Sequence, residues 1–258
     1  MADNQDVRVD HQTDGITVIT LNRPEALNAI TMAIAVKLFA LLEDLAADTD
    51  ARAVILSGTG DRAFSAGFDI KEMAGFDGDA MRAAFVARDP LPLRIAEHPL
   101  PIIAALNGPA LGAGALIAAA CDFRVACPAA SFKVTAIGYG SANASWSLSR
   151  LVGPARAKDI LMTGRSVQAE EALAIGLYDR IAEHSLEGAL ALARDIIRHP
   201  KLGVGNVKRL VDTSLSTSVR EGWETEHATM LKGFDQPNAG GNTVFASFLD
   251  VHRDLTAR

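Results

Sequence analysis

Two stretches of small residues, each set between an apolar run and a helix-like segment, constrain this chain more than any other feature. The first is Ala63-Phe-Ser-Ala-Gly-Phe-Asp-Ile-Lys-Glu72 and the second is Asn107-Gly-Pro-Ala-Leu-Gly-Ala-Gly-Ala-Leu116. Small side chains let backbone N–H groups come close to a neighbour or a ligand. Two such loops together can hold a carbonyl oxygen as it becomes an oxyanion. An absence is as informative: residues 123–158 contain no Asp or Glu.

Around these loops the first half of the chain alternates strands and helices. Residues 16–21, 53–56, 102–106, 122–126 and 131–134 read as short strands. Thr31 is placed to cap a helix on which Ala35, Phe39, Leu42 and Ala46 recur at helical spacing. A helix over 79–97 is interrupted at Asp89-Pro90, and 110–120 reads as a nearly all-apolar helix. Strands separated by helices predict crossover units rather than a meander. The second half is helical. Gly153-Pro154 opens one helix and Gly164 follows its end; 168–175 is closed by Gly176. Further helices are predicted over 186–198, 204–215, 220–232 and 244–255, with a Gly/Asn/Pro loop over 233–241. The expected organisation is an α/β core over 1–195 and a helical region over 196–258.

Composition narrows the function. Hydrophobic residues are 49% of the 258, but only 5% are aromatic, which suits a soluble, closely packed α/β protein. A net charge of −6 argues against a nucleic-acid or anionic-membrane surface. The longest apolar run, 110–121, is interrupted by glycines and falls short of the roughly 20 residues a membrane span needs. The polar, acidic start has no signal-like core, so a cytoplasmic location is the expectation. Cys121 and Cys127 read as reduced thiols rather than a disulfide framework.

The order and spacing of several blocks resemble the enoyl-CoA hydratase/isomerase (crotonase) family. They are Asn22-Arg-Pro-Glu-Ala-Leu-Asn28, the two small-residue loops, Cys121-Asp-Phe-Arg124, Leu151-Val-Gly-Pro-Ala-Arg156, Leu161-Met-Thr-Gly-Arg165 and Ala169-Glu-Glu-Ala-Leu173. The resemblance implies an α/β fold: a crotonase-like spiral of ββα units with a helical C-terminal region, which would serve trimerisation. It implies a homotrimer or dimer of trimers with acyl-CoA as partner. It implies neither metal nor cofactor; coenzyme A enters as the thioester substrate or ligand.

The resemblance also assigns positions. Ala66 and Ala113 match the backbone donors of the oxyanion hole. Glu25, Ala26, Leu27, Phe68, Asp69 and Ile70 match segments that contact the nucleotide and pantetheine, while Asp69 reads equally as a turn or helix-cap residue. The family often has Gly where this chain has Ala113, and a small residue where it has Phe68. Arg23, Arg62 and Lys71 are candidate phosphate partners, or solvated charge. A closing Phe-x-x-Lys pattern falls on Phe248, with Val251 at the lysine position and His252 or Arg253 as substitutes.

Chemistry is where the resemblance fails. The two glutamates of family hydratases align with Leu116 and Ala136, which transfer no proton. The dehalogenase aspartate aligns with Ser141 or Ala142. Tyr139 either orients a substrate carboxylate or is a half-buried aromatic, and Trp146 is expected to pack at a helix start. A replacement acid has candidates in Glu72, Asp77, Asp79 and Asp89. Three readings follow: an acyl-CoA enzyme with non-standard chemistry (decarboxylation, isomerisation or C–C bond cleavage), a non-catalytic acyl-CoA-binding protein, and an ordinary hydratase with a relocated acid–base pair.

Overall fold

The computed structural model describes residues 6–234. The predicted helix over 244–255, the Phe248 to Arg253 pattern and most of the 233–241 loop lie outside the described residues. In chain order, β1 (Val7–His11) and β2 (Ile16–Leu21) precede α1 (Met32–Ala47). β3 (Ala53–Gly58) leads through the first loop to α2 (Ile70–Met73), α3 (Gly78–Arg88) and α4 (Leu91–Ala96). β4 (Ile102–Leu106) and β5 (Ala110–Leu111) precede α5 (Ala113–Ala120). β6 (Phe123–Ala126) and β7 (Ser131–Lys133) lead to a 3-10 turn, Ala136–Tyr139, then α6 (Ser145–Val152) and α7 (Pro154–Thr163). β8 (Val167–Gln168), α8 (Ala169–Ala174), β9 (Arg180–Ile181), α9 (Ser185–Ile197), α10 (Lys201–Ser214) and α11 (Val219–Phe234) follow.

The strands form two sheets, one in the order β1-β2-β3-β4-β6-β9 and one in the order β5-β7-β8. In the large sheet only the β1–β2 pair is antiparallel; the rest are parallel. β4 and β6 each join the large sheet, and the strands that follow them, β5 and β7, join the small one. The chain therefore winds in repeated strand–strand–helix units between two sheets.

β3 and β4 are buried along their whole length, as expected for parallel strands covered on both faces. Val54, Leu56, Ile102 and Ala104 face Ile34, Leu38 and Leu42 of α1 and Leu91 and Ile95 of α4. Ala53, Ile55, Ile103 and Ala105 face Ala189, Leu192 and Ala193 of α9. Each large aliphatic buried there contributes about 1.5–3 kcal/mol.

Local chemistry explains most element ends, and some expectations need correction. Thr31 Oγ1 accepts the Ile34 N–H at 3.3 Å, so the predicted cap of α1 is present. The buried stripe of α1, however, is Ile34, Ala35, Leu38, Leu42 and Leu45, while Ala46 is exposed and Phe39 half-buried. The helix turns its leucines to the sheet and leaves the predicted edge on the flank. The apolar helix begins at Ala113 rather than at 110, because Ala110 and Leu111 pair with Phe132 and Lys133 as strand and Gly112 breaks the chain at φ 50, ψ −122. Trp146 does not pack inward; it is 43% exposed. Cys121 and Cys127 are both reduced, with no disulfide between them. Among the described residues, no helix is long and apolar enough to cross a membrane.

The chain separates into two compact units, one ending at Val204 and the next starting at Gly205, a division that falls inside α10. In the second unit, Ser218 and Glu221 form a reciprocal capping box at the start of α11. Arg209 Nη2 donates to Thr229 Oγ1 at 3.0 Å, and Trp223 stacks on His227. Val207, Val211, Leu215, Val219, Trp223 and Met230 are exposed apolar residues of this unit.

Arg124 ties the first unit together. Its side chain is buried and donates to the carbonyls of Leu177 (2.7 Å), Cys121 (2.7 Å), Ala118 (3.3 Å) and Asp122 (3.2 Å) and to Asp179 Oδ2 (2.9 Å). It thus satisfies carbonyls at the end of α5 and holds the connection to β9. The Cys121-Asp-Phe-Arg124 block is therefore structural. Arg124→Met leaves four main-chain carbonyls without their donor, and urea denaturation should show a loss of about 1–3 kcal/mol.

Candidate active site

The two small-residue loops leave the same ends of the adjacent parallel strands β3 and β4 and are bonded to each other. The Phe64 N–H donates to Pro109 O at 3.0 Å, and the Leu111 N–H donates to Ser65 O at 2.9 Å. Ser65 pairs with Ala110 as an isolated parallel bridge. The approach is closer than side chains permit. A Cβ on Gly67 would lie 2.7 Å from Ala113 N and 2.8 Å from Leu111 O, and Gly67 has φ +93. A Cβ on Gly114 would lie 2.5 Å from Ser65 O. Buried Asn28 supports the first loop from behind, its Nδ2 donating to Ala63 O at 2.8 Å and to Thr59 O at 3.1 Å. Ser65 Oγ donates to Asn28 O at 2.8 Å.

An account of the backbone donors decides which N–H groups remain for a ligand. The Ala66 N–H donates to Leu27 O at 2.8 Å. This corrects the expectation for Ala66: its donor is already used inside the protein. Leu27 holds its carbonyl there from a left-handed conformation at φ 52. The Gly67 N–H donates to Ser65 Oγ at 3.1 Å and the Asp69 N–H to Ile30 O at 2.9 Å. Between them, the Phe68 N–H has no acceptor among the described residues. In the second loop the Gly112 N–H donates to Lys133 O at 2.9 Å and the Leu116 N–H to Gly112 O at 3.1 Å. The Ala113 N–H, at the first position of α5, has no acceptor among the described residues. The unspent pair is Phe68 and Ala113. Alanine at 113 is accommodated because the residue is helical; the positive φ falls on Gly112.

The other predicted residues divide. Leu116, one turn into α5, is half-buried, and Ala136 is buried at the start of the 3-10 turn. Tyr139 is 67% exposed, so it is not a half-buried aromatic in this chain. Glu25 is exposed, Ala26 and Leu27 are half-buried, and the apolar side chain of Ile70 is 79% exposed. Arg62 and Lys71 are exposed. Asp69 caps α2, its Oδ1 accepting from the Lys71 N–H at 3.0 Å and the Glu72 N–H at 3.3 Å. Its Oδ2 accepts from Arg23 Nη1 at 2.8 Å, so Arg23 is engaged within the protein. Two candidate acids serve as caps as well. Glu72 Oε2 accepts the Met32 N–H of α1 at 3.0 Å, and Asp77 Oδ1 accepts the Ala80 N–H of α3 at 2.8 Å. Asp79 and Asp89 are exposed.

Two residues that no motif signalled also stand here. Thr135 Oγ1 would lie 3.2 Å from a Cβ on Gly112, beside the turn that presents Ala113. Arg88, the last residue of α3, is buried and stacks its guanidinium on Phe68, 3.7 Å from the ring centroid. An arginine in an amphipathic segment ordinarily reads as surface charge, so burial of Arg88 was not legible without the fold.

The sequence profile of the enoyl-CoA hydratase/isomerase family matches residues 11–247. A short-chain-enoyl-CoA hydratase of Clostridium acetobutylicum is 32% identical over 209 residues, 79% of this chain and 80% of that protein. Among solved structures, an enoyl-CoA hydratase from Bacillus anthracis superposes with a TM-score of 0.86 at 30% identity, covering 91% of this chain and 93% of that one. An enoyl-CoA hydratase from Mycobacterium smegmatis does so with a TM-score of 0.85 at 31% identity, covering 95% and 96%. The interlocked loops, the winding between two sheets and these matches agree: the chain belongs to the enoyl-CoA hydratase/isomerase (crotonase) family and has its fold.

The Asp69 carboxyl is held below its usual range, first by the hydrogen bond from Arg23 and then by the backbone N–H groups of Glu72 and Lys71, against the effect of burial. A depressed carboxyl contributes stability above its unfolded value of about 3.9 and loses it as pH falls through the lower folded value. Asp69→Ala should destabilise by about 1–2 kcal/mol at pH 7. In urea melts the gap between variant and parent should narrow below about pH 4.

Proposed function

We propose that this protein binds acyl-CoA thioesters and stabilises a thioester enolate between the N–H groups of Phe68 and Ala113. The supporting observation is that pair of unspent backbone donors, carried on two loops that cannot move apart without breaking their mutual hydrogen bonds. Preorganised donors need no reorientation as charge develops, and one such donor is worth about 2.7–4 kcal/mol. Ala26, Leu27, Phe68 and exposed Ile70 line the approach for the pantetheine and nucleotide, with Glu25 at its rim and Asp69 bracing the loop rather than touching the ligand.

The chemistry we assign is non-standard for the family. Hydration needs a base for water and an acid at the α carbon, each worth about 10²–10⁴-fold. Leu116 and Ala136 supply neither, and Glu72 and Asp77 are engaged as helix caps. Decarboxylation, isomerisation or C–C cleavage suits such a site better. In decarboxylation the electron pair of the breaking C–C bond flows into the thioester as CO₂ leaves. The oxyanion hole holds the enolate, and water returns a proton to the α carbon. The apolar character of positions 116 and 136 also favours a second reading, an acyl-CoA-binding protein without turnover.

Purified protein given crotonyl-CoA should hydrate it about 10⁴-fold or more slowly than a homologue with both carboxylates. It should still bind butyryl-CoA and, with solvent water as the base, exchange its α proton slowly for deuterium. Hydration at the homologue's rate would overturn the assignment of chemistry, and no calorimetric heat with any acyl-CoA would overturn the function itself. Binding without exchange, and without turnover on a panel of acyl-CoA species, selects the second reading.

Assembly is part of the proposal. The exposed Val207, Val211, Leu215, Val219 and Trp223 are suited to burial against further copies of the chain, in a homotrimer or dimer of trimers. Reduced Cys121 and Cys127 fit the expected cytoplasmic location. Light scattering should give at least three times 27.2 kDa, and a stable monomer at micromolar concentration contradicts the assembly.

A further inference from the structure

Arg88 is a buried arginine beside the described site with two of its three guanidinium nitrogens left without an acceptor among the described residues. Its side chain is 1% exposed, and its Nε and Nη2 are buried without an acceptor among the described residues. The guanidinium lies between two aromatic rings, with Cζ 3.7 Å from the Phe68 centroid and 4.5 Å from the Phe85 centroid. Cation–π contact with these rings recovers part of the cost of burial. That does not replace the hydrogen bonds of two buried unpaired donors, whose desolvation costs more when the group is charged. Arginine does not escape by losing its proton. Glu72 and Asp89 act on it only at a distance; neither forms a salt bridge with it, and the Glu72 carboxylate is capping α1.

The unmet donors have a shape. Nε–H and Nη2–H form the side-on fork of a guanidinium, two parallel donors spaced for the two oxygens of a carboxylate. The fork sits beside Phe68, whose backbone N–H belongs to the oxyanion pair, and Tyr139 is near enough to act electrostatically on it. α3 buries only Ala84 and Arg88, so a small outward displacement of this helix exposes the fork at low cost.

We propose that Arg88 receives a second, non-reacting carboxylate on the acyl chain, and that the substrates of this site are mono-CoA thioesters of dicarboxylic acids. The inference rests on the acyl-CoA reading above. A carboxylate clasped by arginine keeps its charge and is not lost as CO₂, so with these substrates the enolate chemistry is isomerisation or C–C cleavage rather than decarboxylation. A charge-assisted bidentate contact to a buried guanidinium is worth about tenfold or more in affinity.

The test compares succinyl-, glutaryl- and adipyl-CoA, each with the monocarboxylic acyl-CoA of the same chain length, by calorimetry on the full-length protein. The expected result is a preference of at least tenfold for one dicarboxylic thioester over its neutral counterpart. In Arg88→Met that ratio should collapse towards one, and Arg88→Lys should restore part of it. The parent protein's ratio decides the matter even where a variant fails to fold. Butyryl-CoA binding with no preference at any length overturns the Arg88 assignment and leaves the acyl-CoA reading standing. No binding of any thioester overturns both. A normal molecular mass for the parent but a smaller one for Arg88→Met, with no preference in the parent, assigns the fork to a carboxylate of another copy and also overturns the proposal.

Discussion

The site depends on one close contact, the interlock of two loops at the ends of β3 and β4. Parallel neighbouring strands deliver both loops to the same edge of the sheet. The Ser65–Ala110 bridge then registers them. Gly67 and Gly114 let backbone meet backbone where any Cβ would collide. The result is rigid because it is made from main chain, with no long side chain to reorder. It also accounts for the otherwise unfavourable left-handed Leu27, whose carbonyl takes up the Ala66 N–H, while the Phe68 N–H has no acceptor among the described residues.

The acidic residues around this site are used for architecture. Asp69 caps α2 and holds Arg23, Glu72 caps α1, and Asp77 caps α3. Each places negative charge at a helix N-terminus, where the dipole favours it. A carboxylate committed to a cap is a poor proton carrier, since protonation breaks the bonds that hold the helix end. The described site therefore combines two unspent backbone donors, apolar side chains at 116 and 136, and a buried cation beside Phe68. Such an arrangement favours charge brought by the ligand over charge supplied by the protein.

Much of this was legible in the chain. The strands at 16–21 and 102–106, the Thr31 cap, the Pro154 and Gly164 bounds of α7 and the two loops all follow from local chemistry, because short-range sterics and caps decide them. So does the lack of carboxylates at 116 and 136, since absence of a proton-carrying side chain is a property of composition at a position. The start of α5 was misread because an apolar run has no period to separate strand from helix; pairing of Ala110 and Leu111 with β7 decides it.

Three things belonged to the tertiary structure alone. Which of the loop's N–H groups is free depends on Leu27, far away in sequence, spending the Ala66 donor. Whether Arg124 and Arg88 are surface or core depends on which elements close over them: α5, Asp179 and Leu177 for one, Phe68 and Phe85 for the other. Hydrogen-bond satisfaction is a property of the assembled fold, because a donor's partner is set by long-range packing and not by its neighbours along the chain. The sequence by itself determined the loops, the caps and the apolar residues at 116 and 136; only the folded chain decided which donors those loops leave unspent and which charge is buried beside them.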